Sequence, residues 1–445
     1  MLSRFLTILA ATTLLSFTKS EPFEPSPPPP MHQDHVIIGY YQFSHSQYQR
    51  LENVAWGRYT HMVFHGAWPI DQFEFTFGSD DQNQQAIQYM QPFVQYADQS
   101  EYCSTSTIAK LWNAQTFSLV LDNVRPLLGM GGEQGSKLFS YYLSDGSRRS
   151  TFVRNLVSLA QTYNFQGVVV TWLAPNTPGV GCNTRSPNDA VNFGLFAQEF
   201  KKVWKQGRLI IRANFNGFIG ATGNYATSEE TSLIAQNVDY IDLMAFDGYT
   251  GNRGARTGPF SALTADCPKI PYLSNGIKEL LQIMQFQGFS VNKLILGFTG
   301  YGRVFYLPKH FNMKTDISQV AYGAAPPGGW TDNLNGTLDA CGQYRGFEGI
   351  YLLNELLEYG WLESDGVTAT QLVTRGWDDC AKQAYLYTND YLLVYDDPGS
   401  LKIKSQYART SGLAGISFYY SMGFPNGFIQ AAMAPWPQVS DIKVY

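Results

Sequence analysis

Phe165-Gln-Gly-Val-Val-Val-Thr-Trp-Leu-Ala-Pro175 contains an apolar segment that follows a glycine and ends before a proline. A short run of β-branched and aromatic residues with such boundaries is typical of a strand that is buried on both faces of a parallel sheet. The sequence therefore predicts a buried strand over Gly167–Leu173.

Seven further apolar runs rich in valine, isoleucine and aromatic residues occur along the chain, and segments able to form helices separate them. We predict strands at Val36–Tyr41, His61–Trp68, Arg125–Gly131, Arg208–Asn214, Tyr240–Phe246, Lys293–Thr299 and Leu413–Tyr419. This alternation is expected of repeated β-α units. Eight units predict an α/β fold, a closed (β/α)8 TIM barrel, whose active face lies at the carboxyl ends of its strands.

The interval between the seventh and eighth strands is too long for one helix and its loops. It contains the turn cluster Ala325-Pro-Pro-Gly-Gly329, two cysteines and a helical run around Glu348–Tyr359. We predict a small α+β insertion over residues 306–391, with the barrel formed by residues 35–305 and 392–445.

The quoted segment resembles the strand-four signature of the glycoside hydrolase family 18 chitinases, F-D-G-x-D-x-D-W-E-Y-P. Four further segments resemble patterns of that family. Asp242–Tyr249 resembles its strand-six pattern, and Lys293–Arg303 resembles its strand-seven pattern. Val394–Ser400 resembles its Y-D-D-P segment, and Gly415–Tyr419 resembles its final strand. Several matches in the same order are more specific than any one of them. The resemblance implies a chitinase-like barrel, with the insertion forming one wall of a sugar-binding groove.

The acids of that signature are replaced in this chain. Gln166, Val169 and Thr171 stand at its three aspartate positions, and Leu173 stands at its glutamate position. In the family that glutamate protonates the leaving oxygen, and the substrate's own acetamido group acts as the nucleophile. Leucine cannot donate a proton, and threonine carries no negative charge. We therefore predict a degenerate motif, no catalytic residues and no hydrolysis by this mechanism.

Other matched positions predict contacts with a sugar. The family resemblance implies ligand contacts for Tyr40, Met244, Asp247, Tyr301, Arg303 and Tyr419. Ring faces, an acceptor and a cationic fork suit an N-acetylated sugar. Alternatively, Met244 is a packing residue of the barrel, and Asp247 and Arg303 pair only with each other.

Three departures from the family pattern concern binding. Glu133 stands where the family commonly has a tryptophan that stacks on outer sugars, and Phe246 lacks the hydroxyl of the family's tyrosine. Tyr419 replaces a tryptophan with a smaller ring. Trp68, Tyr249 and Tyr420 are candidates to rebuild an aromatic platform near the strand ends.

The remaining features limit the class of protein. The chain has 445 residues, of which 44% are hydrophobic and 15% are charged, so it can bury a large core. A net charge of −5 without a basic cluster argues against nucleic acid as a partner. The six histidines have no metal-ligand spacing; His61 and His65 read as packing or hydrogen-bonding residues. We predict neither a metal nor a cofactor.

The amino terminus predicts secretion. Phe5–Phe17 is an apolar run after Arg4, so residues 1–20 read as a signal peptide, and residues 21–34 read as a Pro-rich leader. No other apolar run is long enough to span a membrane. In an oxidising compartment the five cysteines allow two disulfides, of which we favour Cys341–Cys380. Asn335-Gly-Thr337 is a sequon for N-glycosylation.

Three functions remain open. The first is a secreted, catalytically inactive lectin that binds and sequesters chitin oligosaccharides. The second is an extracellular protein-interaction, inhibitor or structural protein with an unidentified partner, on a chitinase scaffold. The third is a hydrolase with a relocated acid, for which Glu133 and Asp247 are the candidate carboxylates because both follow barrel strands.

Overall fold

The structure is a computed structural model that describes residues 35–98, 124–173, 175–179, 181–249, 256–267, 276–307, 317 and 323–436. The predicted signal peptide, the predicted leader and Cys103 lie outside these residues. The strands are β1 Val36–Gln42, β2 His61–Pro69, β3 Phe75–Thr76, β4 Arg125–Gly131, β5 Gly167–Thr171, β6 Arg208–Asn214, β7 Tyr240–Met244, β8 Leu294–Thr299, β9 Tyr301–Tyr306, β10 Ile350–Leu352, β11 Thr374–Asp378, β12 Gln383–Tyr387, β13 Tyr391–Tyr395 and β14 Gly415–Tyr419.

The helices of the described residues lie mainly between the barrel strands. They are α1 Asp80–Asp98, α2 Phe139–Leu143, α3 Gly146–Thr162, α4 Asp189–Val203, α5 Ser232–Asn237, α6 Ile277–Phe286, α7 Leu353–Glu358, α8 Pro398–Thr410 and α9 Asn426–Met433. Within the described part of the chain, none of the helices has the length and apolar character needed to cross a membrane.

Eight strands close into a parallel barrel, which confirms the predicted fold class. Their order around the ring is β1, β2, β4, β5, β6, β7, β8 and β14, and β14 pairs again with β1. All eight predicted strands are present, with bounds within two residues of those observed. The short strand β3 adds to the edge of β2 in the antiparallel direction.

Side chains along each barrel strand point alternately into the barrel and towards the helices. Both directions are buried, which explains why the strand sequences are continuous apolar runs. Val63, Leu127, Val169, Ile210 and Ile295 point into the barrel and form a dry layer there. The residues between them face outward and pack against the helices, so neither face of the sheet meets water. Above this layer, towards the carboxyl ends of the strands, the interior becomes polar, and this end carries the candidate site.

The insertion after β8 contains a five-stranded antiparallel sheet, in the order β10-β9-β13-β12-β11, together with α7. The sheet begins at Tyr301 and includes Tyr391–Tyr395, so it extends beyond residues 306–391 at both ends. The predicted helical run over Glu348–Tyr359 is wrong in its first half. Ile350–Leu352 forms β10, because its backbone pairs with β9, and the helix begins only at Leu353.

The predicted disulfide Cys341–Cys380 is wrong. Cys182 is bonded to Cys341, and Cys267 is bonded to Cys380, with Cα–Cα distances of 5.5 and 5.7 Å. Each disulfide joins a barrel loop to the insertion. Cys341 and Cys380 both belong to the insertion, but they are not bonded to each other. The segment that carries Cys341 extends away from the insertion sheet to the barrel loop of Cys182.

Candidate functional site

A cavity of about 1450 Å³ opens at the carboxyl ends of the barrel strands. Barrel strand ends and loops line one side, and residues 333–350 of the insertion contribute to the other. This is the face on which a (β/α)8 barrel carries its active site.

Five of the six predicted ligand residues line this cavity, namely Met244, Asp247, Tyr301, Arg303 and Tyr419. Met244 ends β7 and Asp247 follows it in the chain, Tyr301 and Arg303 lie on β9, and Tyr419 ends β14. Tyr40 lies one layer lower. Its side chain is fully buried and its hydroxyl donates to Asp242 at 2.6 Å, so it supports the floor of the cavity.

Asp247 is the centre of a hydrogen-bonded group. Its carboxylate accepts from the Tyr301 hydroxyl at 2.8 Å and from Arg303 Nε at 2.9 Å. Burial lowers the pKa of Arg303, but Asp247 and Tyr301 outweigh this effect and raise it. The backbone of Asp247 has a φ of 60°, a conformation that few residues other than glycine, asparagine and aspartate adopt. The predicted Asp–Arg pair is thus present, and it faces the cavity.

The four positions at which the sequence analysis expects replaced family acids differ in where they lie. Thr171 and Leu173 line the cavity, whereas Val169 belongs to the dry layer inside the barrel. Gln166 is exposed just before β5, at the opposite end of that strand. The Leu173 side chain offers no proton to the cavity, and its backbone N–H donates to Ser136 Oγ at 2.8 Å.

Arg212 is a cavity residue that the sequence analysis missed. It lies on β6, in register with Asp242 of β7, and both side chains are completely buried. Its Nε donates to Asp242 Oδ2 at 3.0 Å, and its guanidinium carbon lies 4.5 Å from the ring centre of Tyr40 and 4.4 Å from that of Tyr419. The signal was available, because Arg212 interrupts an apolar strand at an inward-facing position two residues after Ile210.

Asp242 anchors this buried cluster. Besides Arg212 and Tyr40, it accepts a hydrogen bond from Ser417 Oγ at 2.6 Å. Burial alone would lower the pKa of Arg212, but the nearby Tyr40 and Asp242 raise it, so the guanidinium is charged. The Arg212–Asp242 pair therefore has no net charge, although its guanidinium is a charged hydrogen-bond donor.

Several polar atoms around Arg212 have no hydrogen-bond partner among the residues that the structure describes. They include Nη1 and Nη2 of Arg212, Oγ1 of Thr171 and Nδ1 of His65. All three residues line the cavity. Burial, followed by the charge of Arg212, lowers the pKa of His65 to about 3, so its imidazole is neutral at physiological pH. Buried polar groups are normally paired, so these atoms mark a place where a ligand or water would bind.

A long hairpin from the insertion crosses the mouth of the barrel; we call residues 332–348 the crossing hairpin. The Asp332 carboxylate closes its base by accepting from the backbone N–H groups of Gly328, Glu348 and Gly349 at 2.9, 3.1 and 2.9 Å. Its tip contains an antiparallel bridge between Leu338 and Tyr344.

Contacts on the far side of the mouth fix the crossing hairpin. Arg345 Nη2 lies 3.0 Å from the Glu133 carboxylate, and Lys137 Nζ donates to the Ala340 carbonyl at 3.1 Å. The disulfide from Cys341 to Cys182 adds a covalent connection. Glu133 and Lys137 follow β4, which is opposite β8 in the ring of eight strands, so the hairpin spans the full mouth.

The carboxylates at the mouth are engaged by arginines. Glu133 pairs with Arg345, and Asp247 pairs with Arg303. Glu348, which sequence analysis did not identify, lies 3.6 Å from Arg303 and 3.8 Å from Arg345, and burial raises its pKa despite both arginines. Among the described residues, no group of three or more histidine, cysteine or acidic side chains could hold a metal ion.

Aromatic rings line the cavity at several places around the barrel mouth. Phe246 and Tyr419 stack with ring centres 5.9 Å apart and planes 13° from parallel, and Trp68 and Tyr420 also line the cavity. Such apolar faces beside polar groups are what a sugar ring requires.

Comparisons with known proteins agree with this geometry. The model of the family described as glycosyl hydrolases family 18 matches residues 36–422. A chitinase-like effector of Moniliophthora perniciosa is 26% identical over 395 residues, which cover 86% of this chain and 83% of that protein. A crystal structure of a Rhizomucor miehei chitinase superimposes with a TM-score of 0.75 at 22% identity and covers 90% of this chain and 99% of the other.

A second similar structure contains a sugar. It is a variant of the class V chitinase of Nicotiana tobaccum in complex with NAG4, with a TM-score of 0.65 at 19% identity, covering 91% of this chain and 99% of the other. At these identities, the likeness to the two solved structures establishes the fold alone.

Proposed function

Because this chain belongs to glycosyl hydrolase family 18, we propose that it is a secreted, catalytically inactive chitinase-like protein that binds and sequesters chitin oligosaccharides. The observation that carries this proposal is the composition of the cavity. Aromatic and paired polar side chains line it, while the position of the family's proton donor holds Leu173. Loss of a general acid typically lowers the rate by a factor of about 10²–10⁴.

Two comparisons support this proposal. The relative from Moniliophthora perniciosa carries the name chitinase-like effector, and a family structure holds a tetramer of N-acetylglucosamine. A protein that retains the cavity but lacks the acid can withhold sugar fragments from other receptors without degrading them. The predicted signal peptide over residues 1–20 is consistent with action outside the cell.

Calorimetric titration with a chitin hexamer tests the proposal, and the contents of the cell are then analysed for shorter products. We expect heat of binding and an intact hexamer. Release of shorter sugars would support the hydrolase with a relocated acid, and Glu133→Gln and Asp247→Asn would then show which of these two carboxyls is responsible. Absence of any binding would reject the lectin function.

A specific observation favours an extracellular interaction role as the second candidate. Leu338 and Tyr344, at the tip of the crossing hairpin, are 58% and 80% exposed. Exposed apolar side chains on a fixed hairpin are suited to contact with a protein. This candidate predicts that Tyr344→Ser abolishes association with a protein partner while oligosaccharide binding is absent in both forms. Binding of the hexamer with unchanged affinity by Tyr344→Ser supports the lectin function instead.

A further inference from the structure

We propose that Arg212 binds the carbonyl oxygen of an acetamido group and thereby makes the cavity selective for N-acetylated sugars. This inference rests on the proposed function. It assigns sugar recognition to a residue of β6, outside all of the segments that resemble the family signature. The side chain of Arg212 is fully buried, lines the cavity and has two guanidinium nitrogens without hydrogen-bond partners.

The surrounding atoms complement an amide. Nη1 and Nη2 of Arg212 are donors, which suit a carbonyl oxygen. Thr171 Oγ1 and the neutral imidazole of His65 also have unpartnered atoms, and either can accept the amide N–H. Thr171 is adjacent to Arg212 across the sheet, because Val170 pairs in register with Ile211 and the two strands are parallel. A donor and an acceptor therefore lie on neighbouring strands at the floor of the cavity.

The charge balance favours a neutral ligand group over an acidic one. Asp242 already neutralises Arg212 through Nε, and it is completely buried. A carboxylate or phosphate at the free nitrogens would place a second anion beside Asp242 in a site closed to water, which costs free energy. An amide carbonyl completes the hydrogen bonds of Arg212 without adding charge.

The same arrangement disfavours a deacetylated sugar. Glucosamine presents an ammonium group, which has no acceptor for the Arg212 donors and is repelled by the guanidinium. A hydroxyl in place of the acetamido group, as in a glucose oligomer, lacks the carbonyl. Arg212 thus discriminates by the acyl group and not by the sugar ring.

The acetamido group reaches Arg212 only after a local rearrangement of side chains. The free nitrogens are closed to solvent, although Arg212 lines the cavity. Met244, at the next inward-facing position of β7 above Asp242, also lines the cavity, and an unbranched methionine changes rotamer readily. We infer that its movement admits the acetamido group.

A double substitution tests the role of Arg212 without leaving a buried charge unpaired. Arg212→Met with Asp242→Asn removes both charges, and Arg375→Met is the control, because Arg375 pairs with Asp397 outside the cavity. Affinities for the N-acetylglucosamine hexamer and for the deacetylated hexamer are measured by calorimetry at pH 5. We expect the double variant to lose about tenfold to a hundredfold in affinity for the acetylated hexamer only, and the control to lose none.

The outcomes separate this inference from the proposed function. If the native protein binds no oligosaccharide, the proposed function fails, and the inference fails with it. If the native protein binds the acetylated hexamer but the double variant retains the same affinity and the same preference for acetylation, only the role of Arg212 is overturned.

A crystal structure of the native complex covers the case in which the double variant does not fold. We expect an acetamido oxygen within hydrogen-bonding distance of Nη1 or Nη2 of Arg212. A bound hexamer whose acetamido groups all lie elsewhere, with water at these nitrogens, overturns the inference.

Discussion

Cys182 and Cys341 are bonded to each other across the mouth of the barrel, although 159 residues separate them in the sequence. Cys182 belongs to the loop after β5, and Cys341 belongs to the crossing hairpin. The disulfide acts with the Glu133–Arg345 ion pair, so the hairpin is fixed at its far end by a covalent bond and by charge. A chain of sugars bound in the cavity would therefore lie beneath or beside a fixed cover.

Replacing both Cys182 and Cys341 by serine is expected to accelerate ligand release. The loosened hairpin covers the cavity less completely, so we expect the dissociation rate constant of a chitin hexamer to rise about tenfold. Surface plasmon resonance measures this rate. The control replaces Cys267 and Cys380, because that disulfide joins a barrel loop to the insertion without involving the crossing hairpin.

Both pairs of serine substitutions should lower the free energy of unfolding by about 2–4 kcal/mol, since each removes a crosslink that closes a long loop. A rise in the dissociation rate that is equal in the two variants would mean that the loss of stability, and not the hairpin, is responsible.

Introducing the acids of the family signature should not by itself produce hydrolysis. Thr171→Asp would place a carboxylate next to Arg212, and the two side chains would pair. The new aspartate is then unavailable to the substrate. We expect Thr171→Asp with Leu173→Glu to release no sugars, and we expect detectable release when Arg212→Ala and Asp242→Asn are added. Chromatography of hexamer digests measures both.

Val169 is left unchanged in that experiment because it lies fully buried in the dry layer of the barrel. An aspartate there would bury an unpaired charge, which costs several kcal/mol. Hydrolysis by the variant that still contains Arg212 would contradict the proposed pairing.

Asp247→Asn is expected to weaken binding without disrupting the fold. Asparagine tolerates the φ of 60° and still accepts from the Tyr301 hydroxyl, but it no longer neutralises Arg303. We expect about a tenfold lower affinity for the chitin hexamer by calorimetry. Asp247→Ala should in addition lower the midpoint of thermal unfolding, because alanine is strained at this φ and removes the carboxylate that pairs with Nε of Arg303. Unchanged affinity in both variants would remove this pair from the ligand site.

Stability should fall as the pH falls below about 6.5, through the buried histidines His61 and His65. Burial is the main cause that lowers the pKa of each to about 3, so both are neutral in the folded protein. In the unfolded chain they bind protons below a pKa of about 6.5. The unfolded state therefore gains protons first, and stability that is present above pH 6.5 is lost between about 6.5 and 3.

Urea unfolding at a series of pH values measures this loss. We expect His61→Gln and His65→Gln each to reduce the slope of unfolding free energy against pH in that range, while the carboxylates contribute equally in all variants. A slope that is identical in the native protein and in both variants would contradict the prediction.

The sequence by itself determined the fold and several of the side chains that line the cavity. The strands were predictable because a barrel strand buried on both faces must be apolar throughout, and this requirement is local. Asp247, Tyr301 and Arg303 were predictable because they stand at positions that line the sugar pocket in the family that the sequence resembles. The prediction that Leu173 replaces the family's acid also came from the sequence, since it depends only on residue identity and the family resemblance.

Tertiary structure alone decided which distant residues meet. The sequence did not predict that Arg345 reaches Glu133 across 212 residues, nor that Cys341 pairs with Cys182, because these contacts depend on where a long hairpin extends from the insertion. The partners of Arg212 depend on the register of β6 with β7 and on closure of the barrel between β1 and β14. Closure of the barrel and the register of its strands depend on packing over the whole domain, so local sequence patterns do not predict them.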